Sequence, residues 1–126
     1  MAQESAAFHE SIELLKPETM DRHRAIVSIM EELEAIDWYD QRVDATRDEE
    51  LRAILAHNRD EEKEHAAMVL EWLRRHDAFF DAQLRSYLFI DKPILAREEE
   101  QGEAKESASS QDASLGIGCL REKVRR

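Results

Sequence analysis

The chain has 126 residues, of which 37% are charged and 6% aromatic, and its formal net charge is −11 at pH 7. This length suits one small domain, and the acidic balance argues against a nucleic-acid partner, because phosphate backbones bind basic surfaces. With a single cysteine, Cys119, and no apolar run near the roughly 20 residues of a membrane span, we expect a cytoplasmic protein without internal disulfides or membrane contact.

Helix-favouring residues dominate the stretch between the two prolines, Pro17 and Pro93. This stretch has no glycine and is rich in Glu, Leu, Ala, Arg and Met, which predicts helices rather than strands. Thr46 and Glu49 have the spacing of a capping box, so a helix is predicted to begin there. We expect a first helix from about Glu18 to Ala45, a second from about Arg47 to His76 and a short third from Asp77 to Phe89.

The character of the sequence changes after Pro93, where the helical region is predicted to end. Residues 97–111 are polar, small and charged, which is typical of a flexible linker. A brief apolar cluster with Gly116 and Gly118 follows, and then a basic end. We therefore predict a helical domain over residues 1–93, a flexible acidic linker over 94–113 and a separate segment over 114–126.

The first two helices are joined by a short connection, which predicts an antiparallel hairpin. Such a hairpin with one short extra helix is too small to form a secure core of its own. Two hairpins that associate would form a four-helix bundle and cover each other's apolar faces. The expected fold is therefore an all-α chain, a hairpin plus a short third helix, that dimerises into a four-helix bundle.

Two glutamates lie in the middle of the apolar faces of the first two helices. At ~100° per residue, Leu51, Leu55, Val69 and Leu73 fall within about 20° of Glu62, and Ala25, Tyr39 and Val43 fall within about 20° of Glu32. An unpaired carboxylate in a core costs several kcal/mol. No Lys or Arg lies near the centre of either face, so a bound metal is the simplest compensation.

Glu62 and His65 form a Glu-x-x-His pair, whose spacing places both side chains on one helix face. Ferritin-like di-iron sites use a Glu from each of two helices and a Glu-x-x-His from each of two others. One chain supplies half of this set, Glu32, Glu62 and His65, and two chains would supply all of it. Carboxylates suit Fe(III) and imidazole suits Fe(II). From the residues alone, a metal site and a polar device that sets helix register are equally supported.

Residues 22–45, RHRAIVSIMEELEAIDWYDQRVDA, and 57–75, HNRDEEKEHAAMVLEWLRR, closely resemble the encapsulated ferritins, half-ferritins housed inside encapsulin shells. The likeness covers roughly Glu18 to Leu88. It implies a ferritin-like four-helix bundle with a di-iron ferroxidase centre at a dimer interface, and dimers that assemble into a ring. The tail SLGIGCLR, residues 114–121, resembles the cargo-loading peptide of that family, which implies an encapsulin shell as partner.

The same resemblance assigns roles to individual residues. Glu32, Glu62 and His65 match the ferroxidase ligands. Trp38 and Tyr39 match aromatic residues beside the centre, and Glu31 and Glu34 match carboxylates that gather iron at its entrance. By helical position, however, Glu31, Glu34 and Trp38 lie away from the face of Glu32. An ordinary solvated surface is equally expected for the two glutamates, and an exposed Trp more often marks a protein contact than a cofactor.

We therefore expect a ferroxidase that oxidises Fe(II) to Fe(III) with dioxygen or peroxide, for iron storage inside an encapsulin nanocompartment in the cytoplasm. One alternative is a rubrerythrin-like di-iron peroxidase, which the lack of a Cys-x-x-Cys pair weakens. The other is a non-enzymatic helical adaptor whose inward glutamates set register. His57, Glu61 and Glu64 share another helix face, where surface pairing is expected rather than a second metal.

Overall fold

The computed structural model describes residues 6–118 of the chain, with side chains over residues 6–110. In that range it has a short 3₁₀ helix, Ile12–Leu14, and four α-helices: α1 Pro17–Ala45, α2 Glu49–Arg75, α3 Ala78–Tyr87 and α4 Ile94–Gly118. The described residues form no strand, which confirms the predicted all-α class. Within the same range, no helix has both the length and the apolar character needed to cross a membrane.

The boundaries of α1 and α2 follow from local chemistry. Pro17 occupies the first turn of α1, where its missing N–H leaves no hydrogen bond unmade. At the start of α2, the Asp48 carboxylate accepts a hydrogen bond from the backbone N–H of Leu51 at 2.8 Å. The predicted capping box is therefore wrong. Thr46 instead accepts from the N–H of Asp48 at 3.3 Å, since Asp48 stands directly before the helix and supplies the cap.

The helices α1 and α2 pack against each other as a hairpin, yet few of their side chains are buried. Among the described residues only Ala25 and Leu73 are buried, at 9% and 5% exposure. Several large apolar side chains of the hairpin stay exposed: Ile26, Leu33, Trp38, Leu51, Ile54 and Met68. A lone hairpin thus lacks a core, as its size predicts, and presents apolar surface of the kind that association covers.

The chain divides into two compact units, the first ending at Asp81 and the second beginning at Ala82. In the first unit, Arg74 ties the end of α2 to the start of α3. Its guanidinium donates to Glu71 at 2.6 and 2.7 Å and also to Asp81. Arg75 donates to the same Glu71 at 3.0 Å. Within the first unit, these hydrogen bonds connect the end of α2 with the first turn of α3.

In the second unit, α3 ends at Tyr87, and Phe89, two residues later, has a positive φ of 59° and a fully exposed side chain. In the structure, residues 94–118, which include the predicted flexible linker, form the helix α4. Its Glu, Ala, Gln and Lys residues are strong helix formers, and Glu100 pairs with Arg97 at 3.0 Å and with Lys92 at 2.9 Å. Pro93 precedes this helix rather than ending the helical region, because proline is tolerated next to a first turn.

The predicted C-terminal segment is described only in part. Residues 114–118 continue α4, although Gly116 and Gly118 disfavour a helix. Residues 119–126 lie outside the described range. The division of the chain at 93 and 113 stays a prediction.

Candidate metal site

Glu32 on α1 and Glu62 and His65 on α2 meet on one face of the hairpin. One ligand atom from each of the three side chains lies within 4.8 Å of the other two. The Nδ1 atom of His65 is 3.1 Å from a Glu62 carboxylate oxygen and 3.9 Å from a Glu32 oxygen. The antiparallel pairing of α1 with α2 therefore brings together side chains that are about thirty residues apart in sequence.

The three side chains are accessible rather than enclosed. Glu32 and Glu62 are 26% and 23% exposed, and His65 is 47% exposed. Each carboxylate thus sits half-buried in its apolar surroundings while one side of the group stays open. Solvent, and with it a dissolved ion, can therefore reach all three side chains.

The electrostatics of the group reflect two carboxylates in close contact. A hydrogen bond with Glu62 raises the pKa of Glu32, and desolvation and the negative charge of Glu62 raise it further. The same hydrogen bond lowers the pKa of Glu62, and His65 lowers it as well. The pKa values of the two carboxyls are therefore shifted in opposite directions, upward for Glu32 and downward for Glu62.

The two neighbouring carboxylates also shift the pKa of His65. Its hydrogen bond with Glu62 raises the pKa of His65, and the charges of Glu32 and Glu62 add to that effect. The raised pKa values of Glu32 and His65 both follow from the negative charge gathered in this group. A divalent cation bound there would oppose the same charge and favour the deprotonated side chains.

Two carboxylates and one imidazole are a donor set that suits first-row transition metals, iron in particular. Three ligands from one chain leave coordination positions open, and carboxylates can bridge two metal ions. The residues present therefore fit half of a di-iron site.

The other residues singled out in the sequence lie around this group. In the described part of the chain, Glu31 and Glu34 do not join the group of potential metal ligands. Glu31 is exposed, and its charge still contributes to the raised pKa of Glu32. Tyr39 is half-buried, with the Arg42 guanidinium 5.4 Å from its ring centre.

Two other features predicted from the sequence lie outside the group of three ligands: Trp38 and the helix face of His57, Glu61 and Glu64. The Trp38 side chain is 48% exposed and lines a shallow groove with Gln41, Arg42 and Ala45. His57 pairs with Glu61 through its Nε2 atom at 3.0 Å, which is the surface pairing expected there. Glu64 points into a different shallow groove, beside Met68 and Trp72.

One contact near the site was missed by sequence reasoning. The guanidinium of Arg59 on α2 donates to the carboxylate of Asp40 on α1 at 3.0 Å. Asp40 follows Glu32 by eight residues, and Arg59 precedes His65 by six. Once the hairpin pairs Glu32 with His65, these offsets place Asp40 and Arg59 at nearly the same register, but no pattern within either helix signals the contact.

Several known proteins are similar to this chain in sequence and in fold. A family model described as EncFtn-like matches residues 7–91. The encapsulated ferritin-like protein of Rhodospirillum rubrum is 62% identical over 129 residues, covering 96% of this chain and 92% of that one. The encapsulin nanocompartment cargo protein EncC of Myxococcus xanthus is 39% identical over 70 residues, covering 56% of this chain and 54% of that one.

A solved structure agrees with these relatives. The crystal structure of a protein from Nitrosomonas europaea has a TM-score of 0.68 and 62% sequence identity, and the match covers 70% of this chain and 97% of that one. The chain therefore belongs to the EncFtn-like family of encapsulated ferritin-like proteins, as its resemblance to the encapsulated ferritins predicted.

Proposed function

We propose that the protein is a ferroxidase, which oxidises Fe(II) to Fe(III) at a di-iron site formed between two subunits. The observation that carries the proposal is the group of Glu32, Glu62 and His65, which offers three ligand atoms within 4.8 Å of one another. Membership in the encapsulated ferritin-like family supports iron as the metal.

Two features argue that a second copy of the chain completes the site. One chain supplies one Glu and one Glu-x-x-His, and a ferritin-like di-iron centre needs each of these twice. The hairpin also leaves large apolar side chains such as Leu33 and Met68 more than half exposed, at 56% and 57%. A two-fold dimer would satisfy both requirements with one interface, because every group at the axis occurs twice.

The chemistry assigned to the chain's own residues is simple. Iron is the substrate: two Fe(II) ions lose one electron each, and dioxygen takes up the two electrons with two protons and leaves as hydrogen peroxide. Glu32 and Glu62, as carboxylates, hold the product Fe(III), for which they are strong ligands. His65 loses its proton and offers neutral imidazole nitrogen, a good ligand for Fe(II). One set of side chains can therefore bind both oxidation states.

The surrounding residues complete the proposal. Glu31 and Glu34, on the outer side of α1, would raise the local concentration of cations near the site. Trp38 and Tyr39 would lie beside the centre, and further contacts between dimers would build a ring. Such an assembly would oxidise iron for storage and mineralisation in an encapsulin compartment.

Loading into that compartment is assigned to residues 114–126. The Myxococcus xanthus relative is named as an encapsulin nanocompartment cargo protein, which supports an encapsulin shell as partner. Binding as an extended peptide would require residues 114–118 to leave α4, and two glycines lower the cost of that change.

Aerobic addition of Fe(II), with oxidation followed by absorbance, tests the proposal. We expect Glu62→Ala to reduce the rate sharply, because each dimer loses two ligands at once. Glu64→Ala is the matched control, since Glu64 lies on the same helix outside the ligand group, and it should leave the rate nearly unchanged.

Equal rates for the two variants would contradict the assignment of the site. Purified protein that neither binds nor oxidises iron would favour the non-enzymatic adaptor. Oxidation that requires hydrogen peroxide, with consumption of the peroxide, would favour the rubrerythrin-like alternative.

A further inference from the structure

An ion pair joins the two helices of the metal site without being part of it. In the described residues, two ion pairs connect α1 with α2. One is the contact of His65 with Glu32 inside the site, at 3.9 Å. The other is the contact of Arg59 with Asp40, at 3.0 Å.

This second pair belongs to a small network. The Nε atom of Arg59 donates to Asp60 at 3.1 Å, and Lys63 reaches the same Asp60 oxygen at 3.0 Å. The network thus runs from Asp40 on α1 to Arg59, Asp60 and Lys63 on α2, with acidic and basic side chains alternating. The network ends at Lys63, the residue directly after Glu62. Networks of this kind hold geometry better than isolated surface pairs.

Such a restraint matters to the metal site because few apolar side chains are buried between the two helices. The hairpin buries only Ala25 and Leu73 among the described residues, so interlocking side chains do little to fix its register. A slip of one residue moves a helix by about 1.5 Å along its axis. That shift would separate Glu32 from Glu62 and His65, whose ligand atoms lie within 4.8 Å of one another.

We infer that Arg59 and Asp40 are positioning residues of the metal site: their ion pair fixes the register at which Glu32 on α1 meets Glu62 and His65 on α2. The inference rests on the proposed function in that the three residues are taken as metal ligands. Neither Arg59 nor Asp40 touches the metal, so their effect is on affinity and not on the chemistry of oxidation.

The expected size of the effect follows from exposure. Arg59 is 23% exposed and Asp40 54% exposed, so solvent and salt weaken the pair. Pairs of this kind change an equilibrium constant by about twofold to fivefold. Arg59→Gln and Asp40→Asn should each weaken metal binding by about that factor, and the Fe(II) KM should rise while kcat changes little.

The test uses the full chain and Co(II) alone, followed by its visible absorbance. Arg24→Gln is the matched control, because Arg24 pairs at 2.6 Å with Asp21 on its own helix and links no second element. The double variant Arg59→Asp with Asp40→Arg restores an opposite-charge pair between the helices and should recover Co(II) affinity. In about 1 M NaCl, the difference between wild type and Arg59→Gln should shrink, because screening removes most of the pair's energy.

Circular dichroism would establish that each variant is folded, and Asp40→Asn serves if Arg59→Gln is not. Single variants with wild-type affinity would overturn the inference, as would a charge-swapped variant that stays weak or a difference that salt does not change. Wild type that binds no Co(II) would overturn the proposed site itself, which is a separate outcome.

Discussion

Metal binding should drive the association of two chains. Each half-site contains two carboxylates, Glu32 and Glu62, so a dimer gathers four negative charges near one axis when both are ionised. Like charges in a half-buried site repel or retain protons, as the raised pKa of Glu32 already indicates within one chain. Two Fe(II) ions carry four positive charges, which would balance those of the carboxylates.

The size of the coupling follows from linkage. A ligand that binds only one state stabilises it by about 2.7 kcal/mol per site at a hundredfold excess over Kd. With two such ions per dimer, the dimer dissociation constant should fall by up to about ten-thousandfold between metal-free and saturated protein. A partly formed half-site in the monomer would reduce this factor, because binding to both states cancels.

Native mass spectrometry or sedimentation under anaerobic Fe(II) titration would measure the shift. Glu32→Gln is the informative variant, since the amide keeps the shape and removes one charge per chain. Without metal it should dimerise more readily than wild type, and its response to Fe(II) should be weaker. A dimer fraction that stays constant from metal-free to saturating Fe(II), or the same response in Glu32→Gln, would refute the reasoning.

Three further outcomes are expected. Deletion of residues 114–126 should leave Fe(II) oxidation intact and abolish co-purification with an encapsulin shell; continued loading would exclude the tail as the address. Asp48→Ala should destabilise the fold by about 0.5–2 kcal/mol in thermal melts through loss of the α2 cap, whereas Thr46→Ala should cost less. Arg74→Gln should lower the melting temperature by a few degrees at neutral pH, with Arg75→Gln as the milder control. Because Arg74 and Arg75 lower the pKa of Glu71 to about 2 from 4.5, this stabilisation is present above pH 4.5 and is lost as pH falls towards 2, so the gap between wild type and Arg74→Gln should close there. A gap that persists at pH 2 would show that the contact acts by packing rather than charge.

The sequence by itself determined the helices of the hairpin and the faces on which the ligands lie. The period of apolar residues is a property of one helix, so it placed Glu32 and Glu62 without knowledge of any neighbour. The spacing of Glu62 and His65 likewise fixes their shared face, and Pro17 marks a helix start. The sequence predicted the wrong cap for α2, because Thr46 and Asp48 can both accept hydrogen bonds from backbone N–H groups at the start of this helix.

Composition was also a weak guide after Pro93. Polar, charged residues are common both in linkers and on solvated helices, and in the structure residues 94–118 form the helix α4. Pairs such as Lys92 with Glu100, at 2.9 Å, add support that composition does not reveal.

Only the tertiary structure decided which atoms meet. Periodicity says nothing about how far one helix slides along another, because that register depends on contacts between residues distant in sequence. The hairpin sets His65 at 3.1 Å from Glu62 and 3.9 Å from Glu32, and the proximity of Glu62 raises the pKa of Glu32. The same register brings Arg59 to Asp40, a contact between two half-exposed charges that no pattern within either helix requires.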